Sequence, residues 1–536
     1  MRRDLLTLFG LALAARIVAA LLIDYPPYTD PAYYGLVAEQ LAAGHGFSVP
    51  VLWSFLEVGG RLPANPILPV ASNGHWMPLT SILAAGSISL FGGALGELRA
   101  AQLPSIVLGA ALVPFTYLVS RELWAGRFAG WIAALLVLLA GPLLVMVPLV
   151  DSFAVFGAAG AGGIWCATRA VRAGRPGPWL VAAGAAAGLA TLARVDGVLL
   201  LVAPLVASLV RRDWNPLPVR LAWGAGAVAA FLVVVAPWLL RDLAIFGSLL
   251  PSAGGHTLWI TDYNEQFSIS RDPSVSAYLA WGAGNIIGSK VLAWGELAGR
   301  TAVLFGGIFV IPFVVGLWRE RGRPELAPFL AYFAVMFLAM GAIFTFHAPK
   351  GAYYHSALAW LPFAAGLAVA SLGPTATSIG RAWPFLRRAA THRFLAVAGL
   401  LGAAALSLIG SGVLIGQWTD AHDKLALAAA FLREGGDTGD RVLAYDPAAL
   451  YALSGNPGVA PPYDSFPVIE QVVDAYRVRW VVVTLRPDEA RDPLRLWDGA
   501  AATDADGNHP RFLPAKPAFA APGVRVYEIL ATEPAP

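Results

Sequence analysis

Asp30, in TDPAYYGLVAEQLAAGHG, and Asp151, in VPLVDSFAVFG, each stand where an apolar run gives way. An ionisable group so close to hydrocarbon is costly to keep, which marks both as candidates for chemistry. A fixed carboxylate there can take a proton from a nucleophile, orient it, or join a second carboxylate around a divalent cation. Each acid also has a plainer reading. The helix signals around the first place Asp30 at an N-cap, Pro31 at N1 and Gly44 just past the end, and Asp151 would cap the helix that follows it. The two readings are compatible, because a capped carboxylate is also held in position.

Histidines and cations extend the set. His75, in NGHWMPLTSIL, lies just ahead of an apolar helix, placed to ligate a metal as neutral imidazole, to hold a phosphate as the cation, or simply to pack. His256 is the candidate second metal ligand, although no spacing ties it to His75. Arg241 follows Pro237 and Trp238 at a helix end; its planar fork suits a phosphate, and its long stem suits interfacial snorkelling. The run FHAPKGAYYHSALAWLPF sets His347, Lys350, Tyr353, Tyr354 and His355 at the mouth of a span, a cationic collar for a lipid-linked phosphate. An aromatic belt would hold the same tyrosines in any case. Arg194 and Asp196, in LARVDGVLL, read as an ion pair that satisfies itself between two short spans, outside the chemistry.

What must position these residues is a membrane bundle. Of 536 residues, 57% are hydrophobic and only 13% charged, and the mean hydropathy is +0.63, the usage of a polytopic membrane protein. A net charge of +3 gives no footprint for nucleic acid. The single Cys166 can form no disulfide within the chain. The N-terminal stretch lacks a small-residue cleavage site and reads as an uncleaved first span. Apolar windows at 5–23, 100–119, 129–149, 152–169, 178–193, 196–210, 222–240, 300–317, 326–346, 357–373 and 394–416 predict about eleven crossings.

The segment 78–93 decides the topology. If it does not cross, the arginines at 2, 3, 121, 127, 169 to 175, 211, 212, 220, 319 to 323, 381 and 387 to 393 all share one face, which the positive-inside bias makes cytoplasmic. It is therefore expected to be an interfacial or re-entrant helix, broken near its glycines. The N-terminus is then cytoplasmic. Residues 24–99, Asp151, 241–299, 347–356 and everything after about 420 are extracytoplasmic. The tail alternates strand-like and helix-like runs, so a membrane domain at 1–419 is expected to carry a small α/β domain at 420–536 with a partly parallel sheet.

The order of these pieces resembles a family. Asp-x-x-Tyr followed by LAAGHGF, then HWMPL, RELWAGRFAG, VDSF, RVDG, PWLLRDLAIFG and YYHSALAWLP is similar to the GT-C superfamily of polytopic glycosyltransferases. Within it the likeness is to bacterial family 39-type members, relatives of protein O-mannosyltransferases and of the lipid A aminoarabinose transferase. The resemblance implies transfer of a sugar, with inversion, from a polyprenyl-phosphate carrier to a lipid, glycan or protein acceptor at the extracytoplasmic face of a cell membrane. It implies Asp30 and Asp151 as catalytic acids, Tyr33, Tyr34, Arg241, Lys350, Tyr354 and His355 as substrate-binding residues, and His75 and His256 as ligands of a divalent metal ion. Pro31 departs from the Glu of many relatives, and Trp76 from a Lys. The rival readings are a transporter or flippase, whose charges belong near the midplane on broken helices, and a lipid-binding scaffold whose loop acids are dispensable.

Overall fold

The structure, a computed structural model, describes residues 1–210, 216–251, 255–271, 273–380, 383–435, 437–485 and 494–530, the side chains of 255 and 256 excepted. Helices α1 (Arg2–Leu21), α2 (Thr29–Ala42), α3 (Leu79–Leu95) and α4 (Glu97–Trp124) open the chain. Polar contacts at both ends fix α1 antiparallel to α4. At one end Asp4 accepts from Tyr117 Oη and from Arg127 Nη2, each at 2.7 Å. At the other, Arg99 donates to the carbonyls of Ala20 and, at 2.9 Å, Ile23. The chain thus leaves α1 and enters α4 on one face. Helix α3 runs unbroken through Gly86, Gly92 and Gly93, where a break was expected, and is tied to α2 by Ser81 Oγ on the Tyr34 carbonyl at 3.0 Å. Gly96, at φ +77, makes the sharp turn into α4.

The span expected at 129–149 is two pieces, α5 (Arg127–Leu138) and α6 (Leu143–Met146). Gly141, at φ +56, and Pro142 break it. Freed peptide groups survive in hydrocarbon only with partners, and the bundle supplies them. Arg16, 1% exposed, donates to the carbonyls of Leu143 and Leu144 at 2.7 Å each. Ser407 accepts from Gly141 N at 3.0 Å and donates to Leu139 O at 2.6 Å.

The bundle continues through α7 (Ser152–Arg172), α8 (Gly177–Ala193), α9 (Val202–Val210), α10 (Leu217–Phe246), α11 (Val275–Ala280), α12 (Ala283–Leu304), α13 (Val310–Glu320), α14 (Ala327–Ala342), α15 (Ala352–Ile379) and α16 (Ala389–Gly435). Small residues let two of these meet closely. A Cβ on Gly157 would lie 2.7 Å from Leu358 Cβ, and one on Gly160 only 2.5 Å from Ala359 Cβ, so α7 and α15 touch backbone to backbone near their starts. Six helices among the described residues are long and apolar enough to cross a membrane: α1, α4, α10, Pro324–Ala342, α15 and α16. Of the other expected spans, 152–169 falls on α7, 21 residues long but outside that group, and the rest fall on shorter or broken helices.

Two sequence expectations change. Residues 241–299 are not simply a loop, because they hold α11 and most of α12. The span expected at 300–317 is interrupted by Gly306 and Gly307, both with positive φ, where Gly306 backs onto Ala403 of α16. Helix α16 itself runs 47 residues, straight through the expected domain boundary at 419/420.

Past α16 the tail folds as the alternating pattern predicts, with α17 (Pro447–Ser454) and α18 (Phe466–Tyr476). The strands are β1 (Ser48–Val49), β2 (Val51–Leu52) and β3 (Val70–Ala71) in the first loop, then β4 (Arg441–Ala444), β5 (Gly458–Val459), β6 (Val478–Thr484), β7 (Phe519–Ala521) and β8 (Val524–Glu528). Six of them form one sheet, in the order β2-β5-β4-β6-β8-β7, parallel from β2 to β6 and antiparallel beyond. The first loop therefore contributes an edge strand to the tail's sheet. A shared core containing Tyr33, Val37 and Phe55 together with Leu443, Ile469 and Val481 makes loop and tail a single head.

Candidate active site

The close approach of α7 and α15 has a chemical result: it brings Asp151, just before α7, beside His355 in the first turn of α15. His355 Nδ1 lies 3.5 Å from Asp151 Oδ1 and 3.0 Å from Ser152 Oγ, and its ring stacks on Phe153 at 3.6 Å. Asp151 does cap α7, accepting from Ser152 N at 2.5 Å, while its other oxygen accepts from Tyr28 Oη at 2.7 Å.

Asp30 arrives from the head side. The cap expected of it is not made: α2 begins at Thr29 with Tyr28 at the N-cap, so Asp30 sits inside the first turn and its carboxylate points elsewhere. One ligand atom each from Asp30, Asp151 and His355 lie within 4.8 Å of one another. Thr29, next to Asp30, donates to Asp446 Oδ2 of the tail at 3.0 Å, and Asp446 caps α17 through Ala449 N at 3.1 Å.

Burial pushes Asp30 up to about 8, the neighbouring Asp151 and Asp446 push the same way, and Arg194 opposes them. Burial also raises Asp151, but there the Tyr28 and Ser152 hydrogen bonds and Arg194 favour the charge. The two acids are thus unequal. Asp151 is the better hydrogen-bonded anion, and Asp30 is the one poised to hold or release a proton near neutral pH.

Arg194 forms the ion pair that the sequence predicted. It lies 3.0 Å from Asp196, and Asp196 accepts from Ser356 on α15. Beyond that pair, with Gly197 backing tightly onto the peptide of Ala190 and Thr191, its charge acts on Asp30, Asp151 and Tyr34, favouring their ionised forms. Its charge also helps hold His75 and His347 neutral, burial being the larger cause, with His75 brought down to about 3 and His347 to about 4.

The remaining predicted residues divide. Tyr34 faces the acids, whereas Tyr33 is fully buried in the head core, accepting from Asn73 N at 2.7 Å and packed on Trp76. Arg241 is spent on structure: it donates to Ser72 O at 2.7 Å and to Asp242 at 2.9 Å, and it lies over Trp238 at 4.4 Å. His75 packs against Trp53 and stands outside the group of three that could share an ion. The side chain of His256 lies outside the described residues. Lys350 is exposed, 5.3 Å above the Tyr263 ring, and Tyr354 lies under Arg300 at 4.9 Å. Arg300 also donates to Pro349 O. Tyr354 and His355, consecutive on α15, thus serve different walls, one the collar and one the acids.

Sequence reasoning missed Tyr28, Ser152, Arg300 and Asp446. Ser152 and Tyr28 are within two residues of the predicted acids, and Arg300 is a cation in a largely apolar stretch of α12, so each left a signal. Asp446 left none.

The comparisons agree with this architecture. The family model for dolichyl-phosphate-mannose-protein mannosyltransferase matches residues 75–240, a stretch that takes in Asp151 and Arg194 but neither Asp30 nor the collar. The fold over nearly the whole chain is that of the solved ArnT structures, in line with the sequence resemblance. It is similar to ArnT from Cupriavidus metallidurans bound to undecaprenyl phosphate, at 17% identity over 98% of each chain with a TM-score of 0.58. It is also similar to apo ArnT from that organism, at 17% identity over 98% of this chain and 97% of the other, with a TM-score of 0.56. No curated protein matches the chain in sequence.

Proposed function

We propose that the chain is a membrane glycosyltransferase that moves a sugar from a polyprenyl-phosphate carrier to an acceptor at the extracytoplasmic face, inverting the anomeric centre. One observation carries the reading: two acids far apart in sequence converge within 4.8 Å of each other and of His355, with Arg194 beside them. In this mechanism Asp30, oriented against Asp151, takes the proton of the acceptor nucleophile as that atom attacks C1 of the sugar in line. The C1–O bond to phosphate breaks, and polyprenyl phosphate leaves with the electron pair. Arg194 offsets the charge gathering on the phosphate, while Lys350 and Arg300 hold the carrier phosphate in ground and transition state alike, and Tyr354 lines its seat. Arg241 is given no part in it, since its bonds to Asp242 and Ser72 tie it into the fold.

The protein sits in a bacterial cell membrane, its arginine-rich face and N-terminus toward the cytoplasm and the head outside. For a divalent cation the donor set Asp30, Asp151 and His355 fits, with two hard oxygens and one imidazole close enough to share an ion. Bound there, the ion would supply a Lewis acid for the phosphate. The check is Mn²⁺ titration followed by electron paramagnetic resonance: a bound-ion signal lost in Asp30→Asn and His355→Ala supports the site, and an unchanged signal removes it.

The reading against a flippase is tested in proteoliposomes with a synthetic radiolabelled polyprenyl-phosphate hexose. A transferase separates label from carrier; a flippase moves the intact lipid between leaflets with the glycosidic bond unbroken.

A further inference from the structure

A cavity of about 310 Å³ opens where the chain leaves α1, lined by Asp24, Tyr25 and Tyr28 on the loop side and by His422, Asp446 and Ala452 from α16 and the tail. Its size lies within the ~300–1,000 Å³ of ligand pockets. Two of its lining residues also belong to the acid cluster. Tyr28 donates to Asp151 Oδ2 at 2.7 Å, and Asp446 accepts from Thr29, next to Asp30. The cavity floor is thus one side chain away from the acids. Its far wall is a built surface: Tyr25 stacks face to face on His422 at 4.0 Å, and its hydroxyl bonds Thr419 Oγ1 at 2.7 Å.

The lining contains carboxylates, aromatic rings and prolines, and neither Lys nor Arg. Burial keeps His422 toward its neutral form. Such a lining repels phosphate and accepts hydroxyl donors, while flat rings pack against the C–H faces of a sugar. The collar has the opposite character, so the two substrates are sorted by charge. Resting on the glycosyltransferase reading, we propose that this cavity binds the acceptor, and that the acceptor group seated there is a neutral, hydroxyl-rich one such as a glycan ring. The tail is then half of the acceptor site, which gives the head a role in the reaction.

Ala452 is exposed at the cavity wall, so Ala452→Trp fills the space without disturbing a core. Full-length protein in membranes of the expressing cells is given a radiolabelled polyprenyl-phosphate hexose, and two products are counted: sugar on an extractable acceptor and sugar released to water. In Ala452→Trp the ratio of transfer to release falls about tenfold; in Ala452→Ser it holds. A ratio unchanged in Ala452→Trp overturns the assignment. Independently of catalysis, Ala452→Cys is modified with a maleimide in the presence of methyl glucoside, ethanolamine or inorganic phosphate. Protection by methyl glucoside alone supports the proposal, and protection by phosphate or ethanolamine instead, or by none, overturns it. Wild type that neither transfers nor releases sugar defeats the transferase reading, while protection by methyl glucoside still identifies a polyol site.

Discussion

The two walls of the site follow opposite electrostatic plans. On the acid wall Asp151 and His355 are buried, Asp30 and Arg194 partly so, and three of the four are already engaged: Asp151 by Tyr28 and Ser152, Arg194 by Asp196, His355 by Ser152 and Phe153. On the collar wall Lys350 is exposed and Arg300 and Tyr354 lie against each other. Preorganised, desolvated charge is what bond-making requires, because it needs no rearrangement as charge develops. An exposed Lys350, beside an Arg300 that Pro349 and Glu296 hold in place, is enough to grip a carrier that must come and go. The difference assigns chemistry to one wall and retention to the other.

Breaking the acid wall has the largest consequence. Arg194→Ala leaves Asp196 and the two acids without their cation; transfer falls about 10²–10³-fold and the protein loses roughly 3–5 kcal/mol of stability. Both are read from initial rates and thermal melts, and Arg194→Lys restores part of the stability. Next comes Tyr28→Phe, which removes one hydrogen bond to a charged acceptor, about 1.5–3 kcal/mol. Its rate falls about tenfold or more, with donor KM unchanged.

The collar responds differently. Lys350→Ala raises donor KM about three- to tenfold and spares kcat, as expected for a binding contact the ground and transition states share. A fall in kcat with KM unchanged would erase the distinction between the walls.

The pH profile sharpens the inequality of the acids. In metal-free protein, kcat/KM rises with pH and levels off above about 8, where Asp30 is deprotonated. Asp151→Asn removes a neighbouring negative charge, so the same limb moves to lower pH, whatever the cost in rate. An upward shift would contradict the shared environment.

The smallest effect lies away from both walls. Burial, aided by Glu97, holds Glu39 at about 7 in the folded state. A carboxyl with a raised folded pKa costs stability as pH climbs from the unfolded value toward the folded one, and the loss is complete above it. Glu39→Gln therefore leaves Tm unchanged at pH 4 and raises it by about 2 °C at pH 8.

Much of the fold was legible because hydrocarbon imposes strict rules. Apolar length located most helices before any contact was known. The alternating tail announced its sheet. What stayed hidden were devices written in one or two residues: Gly306 and Gly307 ending α12, Gly141 with Pro142 splitting a span, and the two-residue strand β2 joining the tail's sheet. At the site, Asp30 and Asp151 were visible as acids near hydrocarbon. Arg194 was visible too, as the partner of its neighbour Asp196, but its action on the two acids was not. Asp446 reaches Thr29 across 417 positions of chain, a meeting that local spacing does not encode.

The central claim is that Asp30 performs proton chemistry rather than holding the donor. Asp30→Asn, purified and reconstituted alongside wild type, is measured for polyprenyl-phosphate-sugar affinity and for transfer in the same vesicles. The account predicts affinity within about twofold of wild type and transfer reduced about 10²–10⁴-fold. Transfer at the wild-type rate, or a loss explained wholly by weaker donor binding, would contradict it.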